Sequence, residues 1–329
     1  MQELRPTRSR RYVAAVTVAL AIALAASGCS SADVVVSPSA PGTAPGTTRS
    51  ASTADTVGIG GGRSIYVECQ GTGSPTVVLQ SGFGNAGDIW TRSDTGEPAV
   101  FPTLAESNRV CLYDRPGSVI TTTSATGTPT KMEGAVRGRS GSAAMPRDPA
   151  EVVTELHDVL AAADIPGPYV LVGHSLGGAF NVLYARTYPD EVSALVVVDS
   201  PLPPAREIAG TEAWERAALM SIDPGAVPGY ELESYDNGVL FDEIEGAGPL
   251  PDVPVIVVRR SGPKMSDDPI PEGAPLAGAI EKAQWEGQAA WASGVPGAEV
   301  ITVEGTTHYI QNQRPDAVVD AVRAVIARS

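Results

Sequence analysis

Short runs rich in Val, Ile and Leu recur along the chain from about residue 55 onward, and each run is closed by Gly, Pro, Asp or Ser. Such runs predict β-strands. The later runs are almost continuously apolar, as is typical of parallel strands that are covered on both faces. The predicted strands are 56–59, 64–69, 76–79, 109–113, 169–172, 194–198, 253–258 and 299–303.

Apolar residues with helical spacing lie between the later strands. The segments that follow Pro149 and Pro315 each carry one apolar stripe at intervals of three and four residues, which predicts amphipathic helices. Strands that alternate with helices imply right-handed crossovers and a mostly parallel sheet. The predicted fold class is therefore α/β.

Two segments interrupt this alternation. Residues 117–148 are rich in Gly, Ser and Thr, which predicts either a functional rim or a disordered loop. Residues 200–252 begin with several prolines, continue with a short helical pattern at 214–220 and then become acidic and aromatic. We interpret this second segment as a small lid over the carboxyl edge of the sheet; a plain surface excursion is the alternative.

The first 54 residues have the composition of a targeting segment followed by a tether. Four arginines precede an apolar run, 13–26, that is too short to span a bilayer, and small residues then lead to Cys29. This pattern resembles a bacterial lipoprotein signal, in which Cys29 carries the lipid; an ordinary cleaved secretory signal is the alternative. We predict a signal peptide at 1–28, a flexible tether at 29–54 and a globular domain at 55–329. The protein is then exported, either anchored to the cell membrane and facing outside, or secreted.

Composition excludes several classes of function. The 329 residues include 38 acidic and 23 basic side chains, so the formal net charge is −15. Phosphate backbones repel such a surface, which disfavours nucleic-acid binding. The three cysteines are too few for a disulfide-built scaffold or an all-cysteine zinc site.

The most informative motif is Gly-x-Ser-x-Gly at 173–177, which lies between a predicted strand and a predicted helix. In this context the serine occupies a strained turn that lifts its hydroxyl above the sheet. The N-terminus of the following helix also favours developing negative charge. Ser175 is therefore the predicted nucleophile.

A serine hydroxyl needs a base at neutral pH, and the chain contains three histidines. His174 lies on the turn itself and should point toward packing or the wall of the site, and His157 lies on the surface of a predicted helix. His308 follows the last predicted strand, on a loop that should emerge at the same sheet edge as Ser175. We predict that His308 is the base.

The acid that orients this base should lie between the nucleophile and the base in the chain. Asp199 directly follows the sixth predicted strand, whereas Asp267 and Asp268 follow the seventh. Asp199 is the preferred candidate, and the other two remain open. Arg259 and Arg260, at the end of the seventh strand, could hold a substrate carboxylate, but pairing with the acidic lid is the simpler interpretation.

The oxyanion of an acyl-transfer reaction needs two backbone N–H donors. Leu176, directly after the nucleophile, should supply one. The glycine-rich loop 80–85 follows the third predicted strand, and its glycines allow the backbone to turn toward the serine. We assign the second donor to Phe83; a glycine-rich turn without this role is the alternative.

Together these motifs resemble the α/β-hydrolase fold family over essentially all of residues 55–329. The matching pieces are the loop 80–84, the Tyr-Asp-Arg-Pro-Gly motif at 113–117, the elbow at 173–178, and the His308 loop with Arg-Pro at 314–315 behind it. The resemblance implies an eight-stranded, mostly parallel sheet of order 1-2-4-3-5-6-7-8, with the second strand antiparallel and helices on both faces. It also implies acyl transfer to Ser175 followed by attack of water, with no metal or organic cofactor.

The same resemblance places Cys69 and Cys111 side by side on the second and fourth strands. In an exported protein they should form a disulfide, and two buried free thiols are the alternative. We therefore expect an exported serine hydrolase that acts on small-molecule carboxylic esters and less readily on amides. Perhydrolase or lyase chemistry at the same site, or a non-catalytic binding protein that retained the fold, are the rival hypotheses.

Overall fold

A computed structural model describes residues 52–120, 135–217, 219–221, 227, 229–265 and 275–329. The predicted signal peptide, Cys29, Asp267 and Asp268 lie outside the described residues, as does the predicted tether before residue 52. Among the described helices, none is long and apolar enough to cross a membrane.

The described residues form strands and helices that alternate along much of the chain. The strands are β1 (Thr53–Gly58), β2 (Ser64–Gln70), β3 (Thr76–Gln80), β4 (Val110–Tyr113), β5 (Val119–Ile120), β6 (Val136–Arg137), β7 (Tyr169–His174), β8 (Val192–Val198), β9 (Leu219–Ser221), β10 (Ser234–Asp236), β11 (Val255–Arg260) and β12 (Glu299–Val303). The helices are α1 (Val100–Ala105), α2 (Pro149–Ala162), α3 (Leu176–Thr187), α4 (Pro204–Ala209), α5 (Thr211–Glu215), α6 (Asn237–Gly246), α7 (Pro275–Ser293), α8 (Ile310–Gln313) and α9 (Pro315–Ile326).

Eight of the strands form one sheet, in the order β1-β2-β4-β3-β7-β8-β11-β12. Strand β2 runs antiparallel to both of its neighbours, and every pair from β4 to β12 is parallel. Counted along the chain within this sheet, the order is 1-2-4-3-5-6-7-8, so the predicted topology is confirmed. The pairs β5–β6 and β9–β10 form two separate antiparallel ribbons.

Both faces of the sheet are buried. Along β8, Leu195 and Val197 join one apolar cluster, whereas Val196 and Val198 join the other. The first cluster includes side chains of α2, α3 and α6, and the second includes side chains of α1 and α9. Each fully buried aliphatic side chain stabilises the fold by about 1.5–3 kcal/mol, which explains why the central strands are almost continuously apolar.

The strand register brings the predicted site residues to one edge of the sheet. His174 pairs with Val198 across β7 and β8, and Val198 pairs with Val258 across β8 and β11. Ser175 and Asp199 therefore leave adjacent strands at the same level. Strand β12 continues the edge, because Val303 pairs with Arg260.

The segment 200–252 differs from the sequence prediction. The helix predicted at 214–220 is wrong in its second half, since α5 ends at Glu215 and Leu219–Ser221 forms a strand that pairs with β10. Pairing with a strand further along the chain here overrides local helical preference. Helix α7 was not predicted, because its many alanines and glycines leave no sharp apolar stripe.

Cys69 and Cys111 face each other in the register of β2 and β4, with their Cα atoms 4.1 Å apart. Their sulfur atoms are bonded, so the structure contains the disulfide that the family resemblance implied. The bridge ties the antiparallel margin of the sheet to its parallel part.

Candidate active site

Ser175 occupies the turn between β7 and α3. Its φ and ψ angles are 51° and −127°, a conformation that is strained for a residue with a side chain. A Cβ atom on Gly173 would lie 2.5 Å from the Gly177 carbonyl oxygen, and one on Gly177 would lie 2.5 Å from the Ser81 carbonyl oxygen. Only glycine at these two positions allows the strand, the helix and the loop 80–85 to meet around the serine.

His308 and Asp199 are hydrogen-bonded to each other at the carboxyl edge of the sheet. The Nδ1 atom of His308 lies 2.6 Å from the Oδ2 atom of Asp199, and both side chains are buried. A carboxylate only accepts hydrogen bonds, so the imidazole proton is on Nδ1 and Nε2 keeps its lone pair. The structure thus brings together two of the predicted site residues, which lie 109 positions apart in the chain.

Within the described part of the chain, the hydroxyl of Ser175 makes no hydrogen bond to another residue. Hydrogen bonds between a nucleophile and its base are often long in a substrate-free site and tighten when substrate binds. His174, the residue before Ser175, lies close to the predicted base, since its ring centroid is 4.5 Å from that of His308.

Two further side chains hold the carboxylate of Asp199. The Nη1 atom of Arg260 lies 2.5 Å from Oδ2, and the Nε2 atom of Gln288, on α7, donates to Oδ1 at 2.9 Å. Burial alone would raise the pKa of Asp199, but the charge of Arg260 and the hydrogen bond from His308 outweigh it and hold this pKa well below its usual range. Asp199 therefore stays ionised beside the imidazole.

The two arginines at the end of β11 have different partners from those expected. Arg260 is buried and pairs with Asp199 at the end of the adjacent strand, not with a lid carboxylate. Arg259 stacks over Trp285 at 4.3 Å and donates to the hydroxyl of Thr302. Successive residues of a strand point to opposite faces, and so only one of the two side chains reaches Asp199.

The other two histidines have the structural positions that the sequence indicated. His174 is buried, and its Nε2 atom donates to the carbonyl oxygen of His308 at 2.9 Å. Burial, followed by the proximity of His308, lowers the pKa of His174 to about 3, so its ring is neutral. His157 lies on α2, where it stacks on Tyr188 and pairs with Glu191.

The two predicted oxyanion donors flank Ser175. Leu176 follows it directly, and the loop that carries Phe83 lies against it, because a Cβ atom on Gly82 would be 3.0 Å from the Cβ atom of Ser175. Among the described residues, no group of the protein accepts a hydrogen bond from either of these two backbone N–H groups.

Several side chains that contact the site were not assigned their observed role from the sequence. Arg260 had a detectable signal, since it is a charged residue that ends an otherwise apolar strand, and Arg115 belongs to the motif at 113–117. Gln288 and Glu233 had none, because each lies in a segment without a clear periodic pattern. Across the described ranges, no group of three or more His, Cys, Asp or Glu side chains is arranged to hold a metal ion.

A mostly parallel sheet of this order, with a serine on a strand-to-helix elbow, defines the α/β-hydrolase fold. The chain has this fold. Residues 75–222 match the family model described as alpha/beta hydrolase fold.

Curated relatives match shorter parts of the chain. The human (lyso)-N-acylphosphatidylethanolamine lipase is 40% identical over 89 residues, which are 24% of this chain and 26% of the lipase. A putative carbamate hydrolase, RutD, from Yersinia enterocolitica is 33% identical over 140 residues, 41% of each protein. An uncharacterised protein of Schizosaccharomyces pombe is 34% identical over 104 residues, 32% of this chain and 16% of its own length. The chain thus spans less than half the length of these curated relatives.

Solved structures resemble the chain over most of its length. Est1E from Butyrivibrio proteoclasticus superposes with a TM-score of 0.54 at 14% identity and covers 83% of this chain and 98% of its own. A thermophilic esterase from Thermogutta terrifontis gives a TM-score of 0.51 at 18% identity, with 84% and 98% covered. At these identities the likeness shows the fold.

Proposed function

We propose that the chain is a serine hydrolase that cleaves small-molecule carboxylic esters, and amides more slowly, through an acyl-enzyme on Ser175. The observation that carries this proposal is the 2.6 Å hydrogen bond between His308 Nδ1 and Asp199 Oδ2. It lies at the edge of the sheet where β7 ends and the turn with Ser175 begins. This bond keeps the proton on Nδ1, which leaves Nε2 as the acceptor for the proton of the serine hydroxyl.

In the proposed reaction, His308 Nε2 accepts the proton of Ser175 Oγ while Oγ attacks the ester carbonyl. The N–H groups of Phe83 and Leu176 bind the oxyanion. The carbonyl then re-forms as the bond to the alcohol oxygen breaks, and His308 gives its proton to that oxygen. Water, deprotonated by the same histidine, attacks the acyl-enzyme, and the carboxylic acid leaves with Ser175 restored.

Asp199 has an electrostatic part in both halves of this reaction. Because its pKa is held well below the usual range, it remains a carboxylate each time His308 carries the extra proton. A buried negative charge stabilises the imidazolium more strongly than water does. Asp199 thus lowers the free energy of both charged transition states without itself accepting a proton.

The named relatives support hydrolysis of a carbonyl substrate. One is a lipase and another a putative carbamate hydrolase, and each shares with this chain a segment at 33% identity or more. A panel of esters should therefore include acyl chains of several lengths, together with a carbamate and an amide. We expect the esters to react fastest, because resonance stabilises the carbonyl of an ester less than that of an amide, and an alkoxide is a better leaving group than an amide anion.

We further propose that the enzyme is exported and held at the outer face of the cell membrane by a lipid on Cys29. The support is the signal-like composition of residues 1–28, together with the Cys69–Cys111 disulfide, since such bridges persist mainly in oxidising compartments. Incorporation of an alkyne fatty acid should be lost in Cys29→Ala. Equal labelling of that variant would refute the anchor.

The experiment that tests the proposed activity is labelling with a fluorophosphonate, read by intact mass and peptide mapping. One adduct on Ser175 is expected, absent from Ser175→Ala and retained in Ser193→Ala, which changes a serine near the opposite end of β8. Labelling should also fall strongly in His308→Ala and persist in His157→Ala. Folded wild-type protein without an adduct would refute the hydrolase and favour a binding protein.

A further inference from the structure

A buried ion pair lies behind the loop that carries Phe83. The Nε atom of Arg115 is 3.0 Å from Glu233 Oε1, and its Nη2 atom is 3.2 Å from Oε2. The arginine side chain is 2% exposed and the glutamate 0%. Such a pair has given up the hydration of two charges, and so its remaining hydrogen-bonding atoms need protein partners.

Those partners are the backbone groups on both sides of Phe83. Arg115 Nη1 donates to the carbonyl oxygen of Ser81 at 2.6 Å, and Nη2 donates to that of Gly82 at 2.7 Å. On the other side, the N–H of Gly84 donates to Glu233 Oε2 at 2.8 Å. The ion pair thus binds three backbone groups of four consecutive residues.

The bond to the Gly82 carbonyl sets the direction of the Phe83 N–H. These two groups belong to one planar trans peptide unit, in which the carbonyl and the N–H point in opposite directions. With the oxygen held by Arg115, the N–H faces away from the guanidinium. Gly82 lies between the guanidinium and the nucleophile, since a Cβ atom on it would be 3.0 Å from the Cβ atom of Ser175.

Among the described residues, the carbonyl oxygen of Gly82 accepts one further hydrogen bond, from the backbone N–H of Asn85 at 3.2 Å. Glycines at 82 and 84 leave the backbone torsions of the loop unrestricted by side chains, and Gly84 has a φ angle of 73°. Rotation of the unit between Gly82 and Phe83 would turn the N–H away from the serine. The hydrogen bond from Arg115 to the Gly82 carbonyl opposes this rotation directly, because it would have to break in a buried place without water to replace it. The bonds to the Ser81 carbonyl and the Gly84 N–H hold the two adjoining peptide units.

The carboxylate of the pair comes from the segment 200–252. Its position there is set by backbone contacts: the N–H of Glu233 donates to the carbonyl oxygen of Gly117 at 3.0 Å, and the N–H of Gly117 donates to the hydroxyl of Tyr230 at 3.0 Å. The chains approach so closely that a Cβ atom on Gly117 would lie 2.7 Å from the Glu233 nitrogen. The geometry of the loop 81–84 therefore depends on this inserted segment.

We propose that Arg115 and Glu233 are positioning residues that aim the Phe83 N–H at the oxyanion formed on Ser175. The inference rests on the proposed hydrolase function and adds to it a connection between the segment 200–252 and the oxyanion site. Neither side chain touches the reacting atoms. Both act through the backbone of the loop.

The decisive variant is the double substitution Arg115→Met/Glu233→Leu. It removes both charges together, and replacing a complete buried ion pair with apolar side chains is often neutral for stability. The free energy of unfolding should stay near that of the wild type. In contrast, kcat for an ester should fall about 100-fold, the loss typical of one oxyanion donor, with KM nearly unchanged.

A matched control is Glu155→Gln, which disturbs another buried carboxylate, one that pairs with Arg63 and Arg147 and makes no hydrogen bond to the loop 81–84 among the described residues. It should lower stability and leave kcat of the folded enzyme unchanged. Inhibition by a trifluoromethyl ketone, whose adduct places an oxyanion on the same donors, should weaken in the double variant by the same factor as kcat/KM and not in the control.

A folded double variant with wild-type kcat and wild-type inhibition would overturn the proposal, and so would an equal loss of kcat in Glu155→Gln. If the double variant does not fold, Arg115→Lys decides, because lysine keeps the charge but lacks the planar fork that reaches both carbonyls. We expect a reduced kcat at unchanged KM for this variant, and wild-type kcat would refute the inference. Failure of the proposed function is recognised separately, since the wild-type protein would then neither react with fluorophosphonate at Ser175 nor hydrolyse esters.

Discussion

Ser175 lies between two groups of residues, each of which is built around a buried arginine–carboxylate pair but uses that pair differently. We call the group around the proposed base the base side, which consists of His308, Asp199, Arg260 and Gln288. The group around the proposed oxyanion donor, the oxyanion side, consists of the loop 81–84, Arg115 and Glu233. Each contains one buried arginine–carboxylate pair, with closest N–O distances of 2.5 Å and 3.0 Å. On the base side the carboxylate of Asp199 binds His308 and the arginine lies behind it, whereas on the oxyanion side the arginine binds two carbonyl groups of the loop and the carboxylate binds the N–H of Gly84.

The comparison shows how a buried ion pair can serve as a positioning element. Removing two charges from water costs several kcal/mol per ion, and the loss is recovered only when the other lone pairs and protons are also bound. Asp199 meets this condition with the side chain of Gln288, and Glu233 meets it with the backbone of Gly84. In our proposal, the pair that contains Asp199 orients the side chain of His308. The pair that contains Glu233 orients the peptide group between Gly82 and Phe83.

The largest expected loss of kcat comes from a substitution on the base side, at Asp199. In Asp199→Asn the amide can donate to His308 Nδ1, which would move the imidazole proton to Nε2 and leave no acceptor for the serine proton. We expect kcat to fall about 10⁴-fold, as is typical when the wrong histidine tautomer is stabilised. Steady-state ester hydrolysis measures the loss, and the rate of fluorophosphonate labelling should fall in parallel. Activity within tenfold of wild type would exclude Asp199 as the acid.

A smaller effect on kcat is expected from Arg260→Met. This change leaves Asp199 held by His308 and Gln288, so the loss of kcat should be less than the about 100-fold expected for the oxyanion pair. Stability should suffer more, by about 3–5 kcal/mol, because a buried carboxylate loses its cation. Urea unfolding and kcat of the folded enzyme separate the two outcomes. A loss of kcat as large as that of Arg115→Met/Glu233→Leu would remove the distinction between the two sides.

The smallest expected effect is on the pH dependence of stability, and it concerns His174, which contacts residues of both the base side and the oxyanion side. Its Nε2 atom donates to the His308 carbonyl oxygen, while a Cβ atom on Gly82 would lie 2.9 Å from its Nδ1 atom. Its pKa is lowered from 6.5 to about 3 by burial and by His308, so between these values the unfolded chain binds a proton that the folded chain does not. The contribution of His174 to the free energy of unfolding is therefore fully present above pH 6.5 and is lost as the pH falls toward 3.

For a single such group, the free energy of unfolding should decrease by about 2 kcal/mol between about pH 7 and pH 5. His174→Gln keeps a donor for the His308 carbonyl and lacks this titration. Urea unfolding at both pH values should show a shallower decline in the variant than in the wild type. Identical declines would contradict the neutral, buried state of His174.

The sequence predicted the fold more completely than the surroundings of the site. The eight predicted runs correspond to the eight strands of the sheet. For the central strands the reason is burial on both faces, which imposes an apolar pattern that is visible residue by residue, whereas β1 and β12 are largely exposed or half-buried. The Gly-x-Ser-x-Gly motif placed Ser175 on the turn between β7 and α3, since a strained elbow with close neighbours requires glycine on both sides. His308 could be selected as the candidate base because the chain has only three histidines.

What the sequence alone determined is therefore what depends on local pattern: the strands, the serine elbow and a short set of candidates for the other roles. The tertiary structure decided which of these side chains meet. Asp199 and His308 lie 109 residues apart, Arg115 and Glu233 lie 118 apart, and Asp199 and Gln288 lie 89 apart. A hydrogen bond across such a distance leaves no periodic trace in the chain, because its geometry is set by the register of parallel strands and the packing of an inserted segment.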